Sequence, residues 1–192
     1  MGAGSLADIW LMRHGAYDGH RAGYHAPPDA ALTREGDEQV HRSLPLPADI
    51  TAIVTSPVMR ARQTASVIAH LTGLPVVATS GLLAEWRAPS IVLGRTPDTY
   101  PPAYRAWREH RLTNPTLRCE DGESLTDLHT RAQRCASFLH HTAQEHGPLL
   151  AISHKLLLGI LSRLAEGPTS FASAARDTWP FAERRRFTAP SE

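Results

Sequence analysis

Two short apolar runs in this sequence end in side chains that can do chemistry. Arg13 and His14 follow the run over residues 8–12, and Ser153-His154 follows the run over 148–152. An imidazole can act as a nucleophile or as a general acid or base, and an arginine binds phosphate or carboxylate through a planar pair of donors. The combination is typical of a site that binds an anion and attacks it.

Two further arginines lie at the start of a predicted helix. The apolar run over 51–55 predicts a strand, and Ser56-Pro57 predicts an N-cap followed by proline at the first helical position. Arg60 and Arg62 then fall in the first turns, where the helix macrodipole disfavours cations. A phosphate bound at this helix end would make the placement favourable. Both arginines are therefore candidates to bind the anion, and the position of Arg62 leaves open whether it assists or faces solvent.

An α/β sheet is the element that would bring these residues together. Amphipathic segments that predict helices alternate with short apolar runs, and this alternation favours a three-layer α/β/α fold with a mostly parallel central sheet. Ligands of open α/β sheets bind beyond the carboxyl ends of the strands, so the basic residues there are expected to converge. The runs that predict strands, buried on both faces, are residues 8–12, 51–55, 74–79 and 148–152.

The length and charge of the chain limit its class. A length of 192 residues predicts a single domain over 1–192. The net charge of +1 offers no broad basic face, so we expect neither nucleic acid nor a membrane as partner. Residues 1–6 carry no export or acylation signal, and Cys119 and Cys135 match no metal or disulfide pattern, so we expect a cytoplasmic protein.

Three regions outside the proposed strands have their own patterns. Ser124 to Asp127 has the spacing of a capping box, and the apolar spacing that follows predicts a long helix with Cys135 in its core face. Residues 87–118 are rich in proline, arginine and aromatics, and we interpret them as a lid-like insertion. The tail over 169–192 has no clear pattern, and its Arg184-Arg185-Arg186 run predicts a solvated face.

Several motifs in order resemble the histidine phosphatase superfamily, in the branch that includes cofactor-dependent phosphoglycerate mutase. The resemblance runs from about residue 9 to 165 and implies the phosphoglycerate mutase-like fold. The motifs that carry it are Arg13-His14-Gly15, the Asp-x-x-Leu-Thr-x-x-Gly pattern over 29–36, the Ser-Pro-x-x-Arg-Ala-x-Gln-Thr-Ala pattern over 56–65, Glu85, Gly122-Glu123-Ser124 and Ser153-His154.

The resemblance implies a role for each matched residue. His14 would attack phosphorus to give a phosphohistidine, with its other ring nitrogen held by a backbone carbonyl. Arg13, Arg60 and His154 would bind the phosphoryl oxygens, and His154 would count among the catalytic residues for that reason. Glu85 would protonate the leaving oxygen and later deprotonate the attacking water. The sequence departs from the family after Glu85, where Trp86-Arg87-Ala88-Pro89 replaces a Gly-rich stretch.

Hydrolysis of a small phosphorylated metabolite is the activity that we favour. A mutase would be expected to continue Arg-His-Gly with Glu-Ser and to hold a longer insertion, whereas this chain continues with Ala16-Tyr17. The alternatives are a phosphoglycerate mutase-type phosphotransferase, a protein phosphohistidine phosphatase and a non-catalytic phospho-ligand binding module. The substrate stays open among sugar phosphates, nucleotides, a cobalamin precursor and similar metabolites, and so does the oligomeric state.

The insertion supplies candidate substrate contacts. We favour packing of its aromatics onto the domain, because aromatic stripes at helical spacing are usually core, over stacking on a substrate ring. No His or Cys spacing suggests a metal ligand set, so we predict no metal and no other cofactor. The nine histidines other than His14 and His154, with His25 among them, are assigned to background. The candidate lid contacts are Trp86, Arg87, Tyr104 and Arg108.

Overall fold

The computed structural model describes residues 7–188. The predicted absence of an export signal over residues 1–6, and the last four residues of the tail, therefore lie outside the described residues. No helix within 7–188 is long and apolar enough to cross a membrane.

Within residues 7–188 the structure has five strands interspersed with six α-helices. The strands are β1 Ile9–Arg13, β2 Ala52–Thr55, β3 Val76–Thr79, β4 Leu149–Ser153 and β5 Arg184–Arg186. The helices are α1 Arg34–Arg42, α2 Met59–Thr72, α3 Pro102–His110, α4 Leu125–His146, α5 Lys155–Leu161 and α6 Ser170–Arg176. Short 3₁₀ helices cover Gly81–Leu83, Ser90–Val92, Pro97–Thr99 and Leu164–Thr169.

One mixed sheet in the order β3-β2-β4-β1-β5 forms the middle layer. β1, β2, β3 and β4 are parallel to one another, and β5 at the edge runs antiparallel to β1. Leu11 and Val54 face a core that α4, α5 and α6 complete, while Met12 and Ile53 face a second core with α1 and α2. This confirms the predicted α/β/α class with a mostly parallel sheet.

The sequence missed the last strand and misjudged an edge. β5 lies in the tail that had no clear pattern, and its three arginines pair with β1 instead of forming a free face. Arg184 and Arg186 are bound by distant segments, through the Ser43 carbonyl and the Asp8 carboxylate respectively. Arg185 has nearby partners, since it lies 4.3 Å above the Trp179 ring and pairs with Glu183. β3 was predicted to be buried on both faces, but it forms the sheet edge and Val76 is exposed.

The start of α2 differs from its prediction, whereas that of α4 agrees. Ser56 was predicted to be the N-cap of α2, but Val58 occupies that position. The Ser56 hydroxyl instead accepts from the Val58 amide at 3.3 Å and contacts His154. Ser124 caps α4 in a capping box with Asp127, and Cys135 on that helix is fully buried, as predicted.

Residues 87–118 pack their aromatics into the domain. Tyr104 and Trp107 on α3 are buried, and their rings stack with centroids 5.4 Å apart. Trp107 also stacks on Trp86 at 5.5 Å. The favoured packing interpretation is confirmed for these rings, which join the core on the α4 side of the sheet. The lid-like role of the segment stays a prediction.

Candidate active site

Side chains that were predicted from separate motifs line one cavity at the carboxyl ends of β1 and β4. Its volume of about 450 Å³ lies within the range of small-molecule sites. Parallel pairing of the two strands puts Arg13 opposite Ser153, so the residues that follow both strands begin side by side. The predicted residues that line the cavity are Arg13, His14, Arg60, Glu85 and His154.

His14 is buried and oriented by its own loop. Its Nδ1 lies 2.7 Å from the Gly15 carbonyl oxygen, and because a carbonyl can only accept, Nδ1 carries the proton. Nε2 then bears the lone pair, and the Nε–H of Arg60 donates to it at 3.3 Å. Burial, followed by the positive charge of Arg60, holds the pKa of His14 well below its ordinary value. The imidazole is therefore neutral at pH 7, as a nucleophile must be.

His154 lies beside His14 in the same buried cluster. The two ring centroids are 4.9 Å apart, and Nε2 of His154 shares a hydrogen bond of 2.9 Å with the Ser56 hydroxyl. Its Nδ1 is buried and has no hydrogen-bond partner within residues 7–188. Burial, followed by the neighbouring His14 ring, keeps the pKa of His154 well below its ordinary value. A neutral, incompletely bonded imidazole of this kind can donate to or accept from a ligand oxygen.

Arg13 and Arg60 bring two positive charges to the cavity. Within residues 7–188 neither guanidinium forms an ion pair with a carboxylate; Arg13 donates to the Trp179 carbonyl at 2.6 Å and Arg60 to the Pro27 carbonyl at 3.3 Å. The Arg13 guanidinium also lies 3.8 Å above the Phe181 ring. Buried charges are normally paired, so two uncompensated guanidinium groups indicate a site for an anion.

The loop after β1 is held by residues of the other motifs. The Gly15 amide donates to Thr64 Oγ1 at 3.1 Å, and the Ala16 amide donates to Gln39 Oε1 at 2.9 Å. Gly36, which ends the Asp-x-x-Leu-Thr-x-x-Gly motif, packs so closely on this loop that a Cβ there would collide with the Ala16 carbonyl oxygen. Thr64 and Gly36 of the motifs, together with Gln39 of α1, therefore hold the loop that carries His14, and none of them lines the cavity.

The Glu85 carboxylate accepts from three backbone amides. Oε1 accepts from Trp86 at 3.0 Å and from Leu157 at 3.1 Å, and Oε2 accepts from Leu156 at 3.2 Å. Two of these amides belong to the first turn of α5, which starts directly after His154. The exposed N–H groups of a helix start favour a carboxylate. Glu85 is thereby held at the wall of the cavity that Arg13 and Arg60 also line.

Several predicted contacts lie elsewhere. Arg62 is exposed and absent from the cavity lining, because two residues along a helix turn the side chain by about 200° from Arg60. Trp86 and Arg87 line the cavity, but Tyr104 and Arg108 do not. Tyr104 is buried with its hydroxyl 3.2 Å from a His25 ring nitrogen, and the Arg108 guanidinium lies 5.6 Å from the Tyr100 ring centroid.

The cavity also includes residues that sequence reasoning missed. His25, assigned to background, lines it beside Trp86, with ring centroids 5.7 Å apart. Burial, followed by the charges of Arg108 and Arg111, lowers the pKa of His25 to about 4. Tyr17 lies under the Arg60 guanidinium at 4.5 Å, and Lys155 lines the rim and donates to the Ala175 carbonyl at 2.9 Å. Only Lys155 carried a signal, as the residue after Ser153-His154.

Comparison with known proteins identifies a family that this sequence matches. The family model described as histidine phosphatase superfamily (branch 1) matches residues 9–175. A protein of Yersinia pestis (strain Pestoides F) called probable phosphoglycerate mutase GpmB is 30% identical over 161 residues, which are 81% of this chain and 73% of that protein.

Two solved structures are similar to this chain in fold. The product of open reading frame Rv3214 from Mycobacterium tuberculosis is 26% identical with a TM-score of 0.70, over 94% of this chain and 90% of that one. The α-ribazole phosphatase from Shigella flexneri is 22% identical with a TM-score of 0.76, over 93% and 89% of the two chains. At that identity the second likeness speaks for the fold alone.

Proposed function

Because the chain belongs to branch 1 of the histidine phosphatase superfamily, we propose that it hydrolyses a small phosphorylated metabolite through a phosphohistidine intermediate. The observation that carries this proposal is the state of His14: a neutral ring with its proton on Nδ1 and its lone pair on Nε2, beside two guanidinium groups without carboxylate partners. A nucleophile and a binding site for the phosphoryl oxygens thus lie in the same cavity.

The first step transfers the phosphoryl group to His14. Nε2 attacks phosphorus, the P–N bond forms and the P–O bond to the leaving group breaks, while Glu85 gives its proton to the departing oxygen. The hydrogen bond from Arg60 to Nε2 is exchanged for one to a phosphoryl oxygen before attack. Arg13, Arg60 and His154 bind the three oxygens, whose negative charge they stabilise in the transition state.

The second step releases phosphate. Glu85, now a carboxylate, takes a proton from a water molecule whose oxygen attacks phosphorus; the P–N bond breaks and its electron pair returns to Nε2. Trp86 and Arg87, at the start of the insertion, are the residues that we expect to contact the leaving group. The proposal also takes the chain as a single domain in which residues 87–118 form a lid.

Phosphoryl transfer between hydroxyl groups of phosphoglycerates is the second candidate, because a relative is named a probable phosphoglycerate mutase. Such an enzyme needs a second hydroxyl to receive the phosphoryl group in place of water. Interconversion of phosphoglycerates by the purified protein without release of phosphate would favour the mutase over the hydrolase.

The test is hydrolysis of p-nitrophenyl phosphate by the wild type and by His14→Ala between pH 5 and 8, with rapid-quench capture of an acid-labile phosphoprotein. We expect turnover and the phosphoprotein to disappear in His14→Ala while the fold remains. His129→Ala is the matched control, since His129 is also buried but lies on α4 away from the cavity. Activity retained in His14→Ala would overturn the proposal, and phosphate binding without turnover in the wild type would favour a binding module.

A further inference from the structure

A buried ion pair lies behind the segment that carries Glu85. Arg131 on α4 donates from Nε to Glu123 Oε1 at 2.7 Å and from Nη2 to Glu123 Oε2 at 2.8 Å. The side chains are 17% and 9% exposed, respectively. Two parallel hydrogen bonds between a guanidinium and a carboxylate fix both groups in orientation as well as position.

Arg131 also binds the backbone of the Glu85 segment. It donates to the carbonyl oxygens of Leu82 at 3.0 Å, Ala84 at 2.8 Å and Glu85 at 3.3 Å. Residues 85–89 belong to no helix or strand. Carbonyl groups at the end of a short 3₁₀ helix and in the irregular backbone after it need partners from outside. A single side chain supplies the partner for three such groups, of which Leu82 and Ala84 lie at the helix end and Glu85 in the irregular stretch.

Glu123 holds the other side of the same segment. Its carboxylate accepts from the Arg87 amide at 3.2 Å, its amide donates to the Arg87 carbonyl at 2.9 Å, and its carbonyl accepts from the Trp86 indole at 2.8 Å. Neither Arg131 nor Glu123 lines the cavity. The pair therefore contacts the backbone on both sides of Glu85 without contacting a ligand.

We propose that Arg131 and Glu123 are positioning residues that fix the Glu85 carboxylate for proton transfer. This inference rests on the proposed function, in which Glu85 protonates the leaving oxygen. Proton transfer depends on the distance between the acid and the leaving oxygen, and a displacement of about 1 Å can cost about 100-fold in rate. Within residues 7–188, Arg13, Arg60 and His154 form no hydrogen bond or ion pair with Arg131 or Glu123. Burial, and then His14, Arg60 and Arg13, lower the pKa of His154 more than the charge of Arg131 does. We therefore expect binding of the phosphoryl group to change little when the pair is broken.

The experiment compares two esters that share an aromatic ring but differ in the basicity of the leaving oxygen. The p-nitrophenolate of p-nitrophenyl phosphate leaves without protonation, whereas the leaving oxygen of benzyl phosphate must be protonated. We expect Arg131→Met to lower kcat for benzyl phosphate by about 100-fold and for p-nitrophenyl phosphate by no more than about three-fold, with KM little changed. Arg131→Lys, which keeps a donor and the charge, should restore part of the loss.

A double-mutant cycle separates positioning from general damage. If Arg131 acts through Glu85, the variant Glu85→Gln/Arg131→Met should be no slower on benzyl phosphate than Glu85→Gln alone. Additive losses, or equal losses on both esters, would overturn the inference. Glu123→Gln keeps the side-chain shape and tests the same pair if Arg131→Met does not fold.

Arg163→Met is the matched control. Arg163 also pairs with a carboxylate, Asp177 at 2.8 Å, and donates to a carbonyl, Gly159 at 3.0 Å, at a side-chain exposure of 27%. It should slow both esters to the same small extent.

Amide exchange gives an independent measurement. The Trp86 and Arg87 amides should exchange faster in Arg131→Met but not in Arg163→Met; unchanged protection in both variants would overturn the inference. Failure of the proposed function would appear in the wild type, as no turnover of either ester.

Discussion

At the scale of single residues, the neutral imidazoles and the guanidinium groups that line the cavity each keep the other in its working state; across residues 7–188 these guanidinium groups have no carboxylate partner. The positive charges of Arg13 and Arg60 disfavour protonation of both His14 and His154. The lone pair on His14 Nε2 in turn accepts a hydrogen bond from Arg60, whose charge otherwise awaits an anion. The site is therefore prepared for an anionic ligand.

The buried histidines predict how stability depends on pH. Histidine in an unfolded chain has a pKa of about 6.5, whereas the pKa values of His14, His154 and His25 are lowered on folding. The unfolded state therefore binds more protons below pH 6.5, so the stabilising contribution is complete above that pH and is lost as the pH falls. Each such histidine should contribute a limiting slope of about 1.4 kcal/mol per pH unit below pH 6.5.

Urea unfolding at pH 7.5, 6.5 and 5.5 measures this slope. His25→Phe should make the free energy of unfolding less dependent on pH. The pKa of His25 in the folded protein, about 4, lies below the whole range, so this group takes up a proton on unfolding at the acidic end of the range. His70→Gln, at an exposed position on α2, serves as the control. A free energy of unfolding that is constant from pH 7.5 to 5.5 would contradict the prediction.

Residue types at strand ends predicted much of this site, while cross-chain contacts were beyond the reach of the sequence. His14 and His154 could be singled out because each follows a buried strand. His25 could not, since its surroundings come from the insertion about 60 to 80 residues later. Arg131 was not singled out from the sequence. Its partners are carbonyl groups, which all residues have and which leave no signal in a sequence.

At the scale of elements, the contact between the loop after β1 and the start of α1 is backbone against backbone. Gly36 approaches Ala16 there, and a Cβ at Gly15 would lie 2.5 Å from the Gly36 carbonyl oxygen. Neither glycine has a positive φ, so the need is for space and not for backbone freedom. The two glycines allow the loop after β1 to pack directly against the start of α1.

Gly36→Ala should therefore destabilise the protein and displace the His14 loop. Backbone atoms must move to admit the methyl group, which typically costs about 1–3 kcal/mol. Gly81→Ala is the control, because a Cβ at Gly81 would have no atom within 4 Å. Thermal unfolding and p-nitrophenyl phosphate turnover of both variants give the comparison; equal stability of the two would show that the contact is not limiting.

Elements were predictable where their signal was local. The capping box of α4 and the apolar runs of β1 and β4 depend on residues close in sequence, and those elements form where they were expected. β5 depends on its pairing with β1, more than 170 residues earlier. The N-cap of α2 failed for a related reason, because the Ser56 hydroxyl contacts His154 in the folded chain.

At the scale of the whole molecule, the buried arginines link stability to anion binding. Inorganic phosphate or orthovanadate should stabilise the native state, and a ligand at 100 times its Kd adds about 2.7 kcal/mol. For a chain of this size that corresponds to a rise in Tm of about 5–10 °C. Arg60→Gln should lose most of this rise, whereas Arg62→Gln, two residues away on the exposed face, should keep it.

Thermal melts in phosphate and in sodium chloride of equal ionic strength separate specific binding from screening. A rise in Tm that is the same in both salts would mean that no specific anion site exists. A rise lost equally in Arg60→Gln and Arg62→Gln would place the anion outside the cavity described above.

Lys155 gives the molecule a further property, because it is the only lysine among the 20 lysine and arginine residues. Its amine lies at the cavity rim, and burial, followed by the charge of Arg13, lowers its pKa. An amine-selective reagent therefore has one side chain to modify, beside the N-terminal amine of the chain. Labelling with such a reagent would place a fluorophore or a crosslinker at the mouth of the cavity without any engineered cysteine, and a bound ligand would shield that position from the reagent.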